Sequence, residues 1–109
     1  MSNASDTGVL HLLVGQLGMR PAPALLRAAR AGDSIFLLQD AVWLALAHAT
    51  DADPWADLDA GVSITALMPD LVARGLADRR LHPRVGVGED ADWVAASERH
   101  PRCITWSVG

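Results

Sequence analysis

The 109-residue sequence has no lysine, no tyrosine and a single cysteine, Cys103, and these shortages exclude several kinds of chemistry. Without lysine there is no Walker A lysine, no Schiff-base residue and no Ser-x-x-Lys nucleophile. One cysteine excludes an intrachain disulfide, a Cys-x-x-Cys redox pair and a cysteine-rich zinc site. The net charge of −4 disfavours general electrostatic binding of nucleic acid, so we expect no direct nucleic-acid contact.

Long apolar runs and a leader sequence are also missing. No run approaches the roughly 18 apolar residues that span a membrane. Residues 1–8 have neither the basic nor the apolar region of a secretory signal. We therefore expect a cytoplasmic protein without membrane association, in which residues 1–8 are a disordered terminus or tag. Residues 9–109 are long enough to form a single domain with its own core.

Short apolar runs alternate with helical patterns along the chain. Five runs predict strands: Val9–Val14, Ser34–Leu38, Val62–Leu67, Arg84–Val87 and Cys103–Trp106. Four segments between them predict helices: Pro21–Ala31, Ala41–Ala49, Asp70–Arg74 and Ala91–Arg99. This alternation implies right-handed crossovers between parallel strands. The predicted fold class is therefore α/β, a small three-layer sandwich around a mostly parallel five-stranded sheet.

Residues at the ends of these segments predict how the helices begin and stop. Pro23 suits the first turn of the first helix, and Gly32 is expected to be its C-terminal cap. Asp40 and Asp90 are expected to cap the second and fourth helices. Gly75 is expected to end the third helix.

The segment Thr50–Gly61 has a composition unlike the rest of the chain, with four aspartates around Pro54 and Trp55. The glycine and glutamate that a calcium-binding EF-hand loop requires are absent from the matching positions. The pattern predicts a solvated acidic loop with at most one helical turn.

Ligands and partners of parallel sheets usually meet the carboxyl ends of the strands. This rule selects eight residues: Gly15, Gln16, Gln39, Asp40, Met68, Asp70, Glu89 and Asp90.

The histidines and the cysteine offer few other candidates for chemistry. The histidines, His11, His48, His82 and His100, lack metal-ligand spacing, so neither a metal nor a cofactor is expected. We expect His11 to donate to a backbone carbonyl inside its strand and His100 to complement a helix dipole. Cys103 is the alternative catalytic candidate, as a persulfide carrier, because Arg102 beside it would favour the thiolate. Its position at a strand start favours a packing role instead.

Three of the four tryptophans lie where they could be either half-buried or exposed: Trp43, Trp93 and Trp106. Tryptophan is enriched among the residues that dominate binding at protein interfaces. Any of the three that proves exposed is a candidate interface anchor.

Four ordered blocks of the sequence resemble the DsrH/TusB family of sulfur-relay proteins. They are Leu10-His11, Gly32–Val42 (GDSIFLLQDAV), Ala66–Leu76 (ALMPDLVARGL), and Asp92-Trp93-Val94 followed by His100-Pro101 and Trp106. The resemblance implies a DsrE-like fold and a heterohexamer with DsrE/TusD-like and DsrF/TusC-like subunits. It implies transfer of persulfide sulfur towards 2-thiolation of the tRNA wobble uridine. The alternative is cytoplasmic sulfur oxidation with dissimilatory sulfite reductase.

The family members that carry sulfur have a cysteine shortly after the first strand, and this sequence has none between Gly15 and Arg30. The resemblance therefore implies a non-catalytic subunit without intrinsic activity. Residues that would contact a partner or line its pocket are Gln39, Asp40, Met68 and Arg74. Since Val85–Gly88 departs from the family pattern, a free-standing homo-oligomeric domain that binds small molecules is a further alternative.

Overall fold

A parallel five-stranded sheet forms the centre of the protein. A computed structural model describes residues 8–15, 21, 23–47 and 53–107, so the predicted terminus at residues 1–7 lies outside the described residues. The strands are β1 Val9–Val14, β2 Ser34–Leu38, β3 Ser63–Leu67, β4 Val85–Gly88 and β5 Arg102–Ser107. The helices are α1 Pro23–Ala28, a 3₁₀-helix Gln39–Ala45, α2 Met68–Ala73 and α3 Asp90–Arg99. The predicted α/β class and strand order along the chain are confirmed.

The sheet order β4-β3-β2-β1-β5 determines where the helices lie. From β1 to β4 the chain moves steadily in one direction, so right-handed crossovers put α1, the 3₁₀-helix and α2 on one face. From β4 it returns to β5 beside β1, which puts α3 on the opposite face. The larger core lies under the first three helices, with Leu25, Leu44 and Leu71 buried against the sheet.

The face under α3 has a much smaller core. Its buried cluster contains Leu10, Phe36, Leu67 and Ala96. One helix of this length cannot cover five strands, and the neighbouring apolar side chains Leu12, Leu38 and Trp93 are only partly buried. This side of the sheet is therefore sparsely covered.

Two of the predicted helix caps lie two or more residues from the positions that the structure shows. The second helix is a 3₁₀-helix that begins at Gln39, so Asp40 lies inside its first turn and does not cap it. The predicted end of that helix, residues 48 and 49, lies outside the described residues. Gly32 does not cap α1, which ends at Ala28; it has a φ of 96° and forms the turn into β2.

The other two predicted helix ends are close to those observed. α3 begins one residue early, so its N-cap is Glu89 and the prediction that Asp90 caps it is wrong by one residue. The Glu89 N–H donates to Asp92 Oδ2 at 2.7 Å. Gly75 follows α2 with a φ of 69°, as predicted for a helix-ending glycine. The Leu76 N–H closes this turn on the Leu71 carbonyl at 2.8 Å.

The described part of the acidic loop, residues 53–61, is tied to the core although its aspartates are exposed. Trp55 is fully buried and its Nε1–H donates to the Leu44 carbonyl at 3.1 Å. The Arg84 guanidinium donates to four loop carbonyls, those of Trp55, Leu58, Asp59 and Val62, at 2.7–3.5 Å. The prediction of a loop with solvent-exposed aspartates is confirmed for these residues. The Arg84 side chain, directly before β4, holds the loop backbone in addition.

Asp53 joins this loop to the residues before β4. Its carboxylate accepts from the Trp55 N–H and from His82 Nε2, each at 2.8 Å. The hydrogen bond from the Trp55 backbone, helped by His82, holds the pKa of Asp53 below its ordinary value. The Arg84 N–H donates to His82 Nδ1 at 3.0 Å, so both ring nitrogens of His82 are hydrogen-bonded.

Among the described residues, no helix has the length and apolar character that crossing a bilayer requires.

Candidate functional site

A polar cluster forms where β2 and β3 end, which is the end of the sheet that the carboxyl-end rule selects. Arg74, directly after α2, donates through Nε to Asp40 Oδ1 at 2.8 Å. Its Nη1 donates to the Asp70 carbonyl at 3.2 Å and lies 3.8 Å from Asp70 Oδ1. The Arg74 side chain is 23% exposed and that of Asp40 66%, so this ion pair faces solvent. We call Gln39, Asp40, Asp70 and Arg74 the carboxyl-end cluster.

Gln39 has the most unusual backbone in this cluster. Its φ is 53°, in the left-handed region that non-glycine residues seldom adopt. The Gln39 N–H donates to Asp70 Oδ2 at 2.9 Å, which holds this conformation. Left-handed backbone costs about 1–2 kcal/mol for such a residue, and its side chain is exposed. Residues held this way occur preferentially at functional sites.

The other residues selected by the carboxyl-end rule do not all join the cluster. Met68 opens α2 and packs, half-buried, against the larger core. Glu89 and Asp90 follow β4, at the edge of the sheet. Gln16 lies outside the described residues.

A groove of about 600 Å³ lies at the opposite end of the sheet, where no ligand site was predicted. Its lining residues come from the starts of β1 and β5 and from the α1–β2 connection: Gly8, Val9, His11, Ala28, Arg30, Ala31, Asp33, Arg102, Cys103 and Ile104.

Asp33 is the buried polar centre of this groove. Its Oδ1 accepts from the Val9 N–H at 2.9 Å, and its Oδ2 accepts from the Arg30 N–H at 3.0 Å and from His11 Nε2 at 2.9 Å. Burial of the carboxyl would by itself raise its pKa. The three hydrogen bonds together outweigh burial, so the pKa of Asp33 lies below its ordinary value of 3.8.

The hydrogen bonds of His11 fix its tautomer. Trp106 Nε1–H can only donate, and it points at His11 Nδ1 at 3.0 Å, so that nitrogen carries no proton. The proton is then on Nε2, which donates to Asp33. His11 is structural, as predicted, but its partner is a carboxylate and not the backbone carbonyl that we expected.

His100 and His82 also have specific partners. His100 is the C-cap residue of α3, at the helix end where it was expected. It is buried and its Nε2 lies 3.0 Å from Ser34 Oγ, and its interaction with the helix dipole stays a prediction. His82 Nε2 binds Asp53, and His48 lies outside the described residues. Within the described ranges, no three His, Cys, Asp or Glu residues are grouped closely enough to hold a metal ion.

Cys103 is exposed near the start of β5, the edge strand beside β1. Its register partner is Leu10, so strand alternation puts its side chain on the α3 face. Arg102 and Ile104 alternate to the face that carries His11. Cys103 is therefore at the other end of the sheet from Arg74, and its role as a persulfide carrier stays a prediction.

Among the tryptophans, Trp43 on the 3₁₀-helix is 37% exposed. Trp93 and Trp106 are half-buried. Trp43 is therefore the one of the three that meets the condition for an interface anchor.

The fold is that of a known group of α/β proteins. The crystal structure of the ychN protein from E. coli matches this chain with a TM-score of 0.72. The match covers 92% of this chain and 99% of that chain at 17% sequence identity. The expected DsrE-like architecture is therefore confirmed.

Sequence comparison identifies the family more narrowly. A family model described as DsrH like protein matches residues 20–103. Protein TusB of Serratia proteamaculans (strain 568) is 38% identical over 84 residues, which are 77% of this chain and 85% of that protein. Protein TusB of Erwinia tasmaniensis is 34% identical over 98 residues, covering 90% of this chain and 100% of that protein. The chain belongs to the DsrH family, as its ordered motifs indicated.

Proposed function

We propose that this protein is a non-catalytic subunit of a persulfide sulfur relay that serves 2-thiolation of the tRNA wobble uridine. The observation that carries the proposal is the similarity to TusB proteins over most of the chain. The position of Cys103 supports the non-catalytic part. The chain's single thiol lies at the amino end of an edge strand, away from the carboxyl-end cluster.

In this proposal the carboxyl-end cluster, with Met68 beside it, contacts the sulfur-carrying partner. Asp40 and Arg74 offer a partner both charges on an exposed surface. The left-handed backbone of Gln39 differs from both helix and strand geometry, and its side chain is exposed. These features support a recognition surface, because a strained and solvent-facing backbone adds nothing to the stability of an isolated domain.

Exposed apolar side chains support a role for this protein inside a complex. Trp43 on the 3₁₀-helix is 37% exposed and Val72 on the adjacent α2 is 59% exposed. On the sparsely covered α3 face, Val94 is 47% exposed. Surfaces of this kind are stabilised when partner subunits cover them. The proposed partners are DsrE/TusD-like and DsrF/TusC-like subunits in a heterohexamer.

Co-expression tests the proposal. Produced together with DsrE-like and DsrF-like proteins from the same genome, this chain is expected to elute with both in one gel-filtration peak. Arg74→Met, which removes the ion pair with Asp40, is expected to weaken the complex roughly tenfold or more, the loss of one interfacial charged hydrogen bond.

Arg79→Met is the matched control for Arg74→Met, because Arg79 is exposed and lies outside the carboxyl-end cluster. It is expected to leave the elution profile unchanged. Clean separation of the three proteins would contradict the proposal. A single homo-oligomeric peak of this chain would favour the free-standing binding domain instead.

A further inference from the structure

The groove at the amino ends of β1 and β5, which we call the amino-end groove, has a small excess of positive charge, +1 from two arginines and one aspartate, on an otherwise acidic protein. The whole chain has a net charge of −4. The charged residues that line the groove are Arg30, Arg102 and Asp33. The Asp33 carboxylate is already occupied by hydrogen bonds from two backbone N–H groups and His11. Both arginines are exposed, and within the described ranges neither guanidinium contacts a carboxylate.

The buried carboxylate also fixes the backbone on both sides of the groove. Asp33 accepts directly from the Arg30 N–H on one side. On the other side it accepts from the Val9 N–H, and Val9 pairs in register with Arg102 on β5. The two arginines therefore extend from backbone positions held by one buried group. This scaffold fixes the backbone from which both arginine side chains extend, and both residues line the groove.

The groove has room for more than an inorganic anion. Its volume of about 600 Å³ is within the range of small-molecule sites, roughly 300–1,000 Å³. Ala28, Ala31 and Ile104 provide an apolar wall, and Ile104 is 42% exposed. Guanidinium groups bind phosphate oxygens well, and an apolar wall accepts a planar or aliphatic body.

We propose that the amino-end groove binds an organic phosphate of nucleotide size, with Arg30 and Arg102 on the phosphate and the apolar wall against the body of the ligand. This site is separate from the carboxyl-end cluster, and it does not depend on the proposed function. The general rule for parallel sheets places ligands at the carboxyl ends of the strands. The fold alone therefore does not predict a site in this groove, which lies at the amino ends.

Titration followed by amide NMR tests this inference on the full chain, with AMP, inorganic phosphate and adenosine as probes. AMP is expected to give saturable shifts at residues around Arg30 and Arg102. Inorganic phosphate is expected to bind at least tenfold more weakly, and adenosine more weakly still. Arg30→Gln and Arg102→Gln are each expected to weaken AMP binding roughly tenfold, the loss of one charged hydrogen-bonding partner.

Arg27→Gln is the control, because Arg27 is exposed on α1 and does not line the groove. It is expected to bind AMP like the unmodified protein. The inference is overturned if AMP gives no saturable shifts, or if Arg30→Gln and Arg102→Gln both bind it normally. Equal affinities for AMP and inorganic phosphate would also overturn it, because the apolar wall would then contribute nothing.

Discussion

Asp33→Asn is expected to destabilise the folded protein by about 3 kcal/mol. The buried carboxylate accepts three hydrogen bonds, two at Oδ2 and one at Oδ1. An asparagine amide can accept only on its oxygen, so whichever way it is turned at least one donor faces an NH₂ group. Losing one partner of a buried polar network leaves the others unsatisfied, which costs several kcal/mol. Urea denaturation measures the difference.

Asp33 also makes the free energy of unfolding depend on pH. The pKa of Asp33 is lowered in the folded protein, so folding favours the ionised carboxylate. Its contribution is fully present above the unfolded-state pKa, near 3.8, and is lost as the pH falls through the folded-state pKa. The stability gap between the unmodified protein and Asp33→Asn is therefore expected to narrow below about pH 4.

The control for this experiment is Asp78→Asn, since Asp78 is exposed on the connection before β4. It is expected to change the free energy of unfolding by less than about 0.5 kcal/mol. If Asp33→Asn were equally mild at neutral pH, the three hydrogen bonds would not have the stabilising role assigned to them here.

Arg84→Met is expected to destabilise the protein by a similar amount, about 3 kcal/mol. Methionine keeps much of the apolar stem but removes the guanidinium that binds the carbonyls of the loop up to Val62. Hydrogen bonds to charged groups contribute about 1.5–3 kcal/mol each, and half-exposed carbonyls recover part of this from water. For a domain of this size, 1 kcal/mol corresponds to about 4–8 °C in Tm.

The effect of Arg84→Met on local stability is expected to appear first in the loop that the guanidinium holds. Hydrogen exchange is expected to accelerate at residues 55–62 and at the Trp55 indole, whose Nε1–H is bound to the Leu44 carbonyl. Arg80→Met, at an exposed position four residues earlier, is expected to leave both exchange and Tm unchanged. Unaltered exchange in the loop of Arg84→Met would show that Trp55 alone holds it.

Local patterns were sufficient to predict most of the fold. Ser34–Leu38 is apolar on both faces and forms a central strand with the predicted bounds. Gly75 ends α2 as expected, because its left-handed backbone is a local property. The 3₁₀-helix was not predictable in the same way. Its irregular start at Gln39 depends on Asp70, 31 residues later, which accepts the Gln39 N–H.

The two candidate sites differ in how far the sequence reveals them. Strand order and one general rule selected Gln39, Asp40 and Asp70 of the carboxyl-end cluster. Arg74 was named only because of the family resemblance. The backbone around the amino-end groove is held by Asp33. In the sequence this residue is only part of an ordinary Gly-Asp turn before β2. Its partners Val9 and His11 are more than 20 residues away along the chain, so only the folded structure shows why this turn holds an aspartate.

Intact-protein mass spectrometry tests directly the proposal that this subunit takes part in sulfur transfer without carrying sulfur. The co-purified complex would be incubated with a persulfide donor and each chain weighed before and after reduction. A reducible 32 Da adduct, roughly one sulfur atom, is expected on a partner subunit, in keeping with thiolate-dependent sulfur transfer. This chain is expected to remain unmodified, and Cys103→Ser to support the same transfer. A reducible sulfur adduct on this chain that disappears in Cys103→Ser would show that this subunit itself carries sulfur.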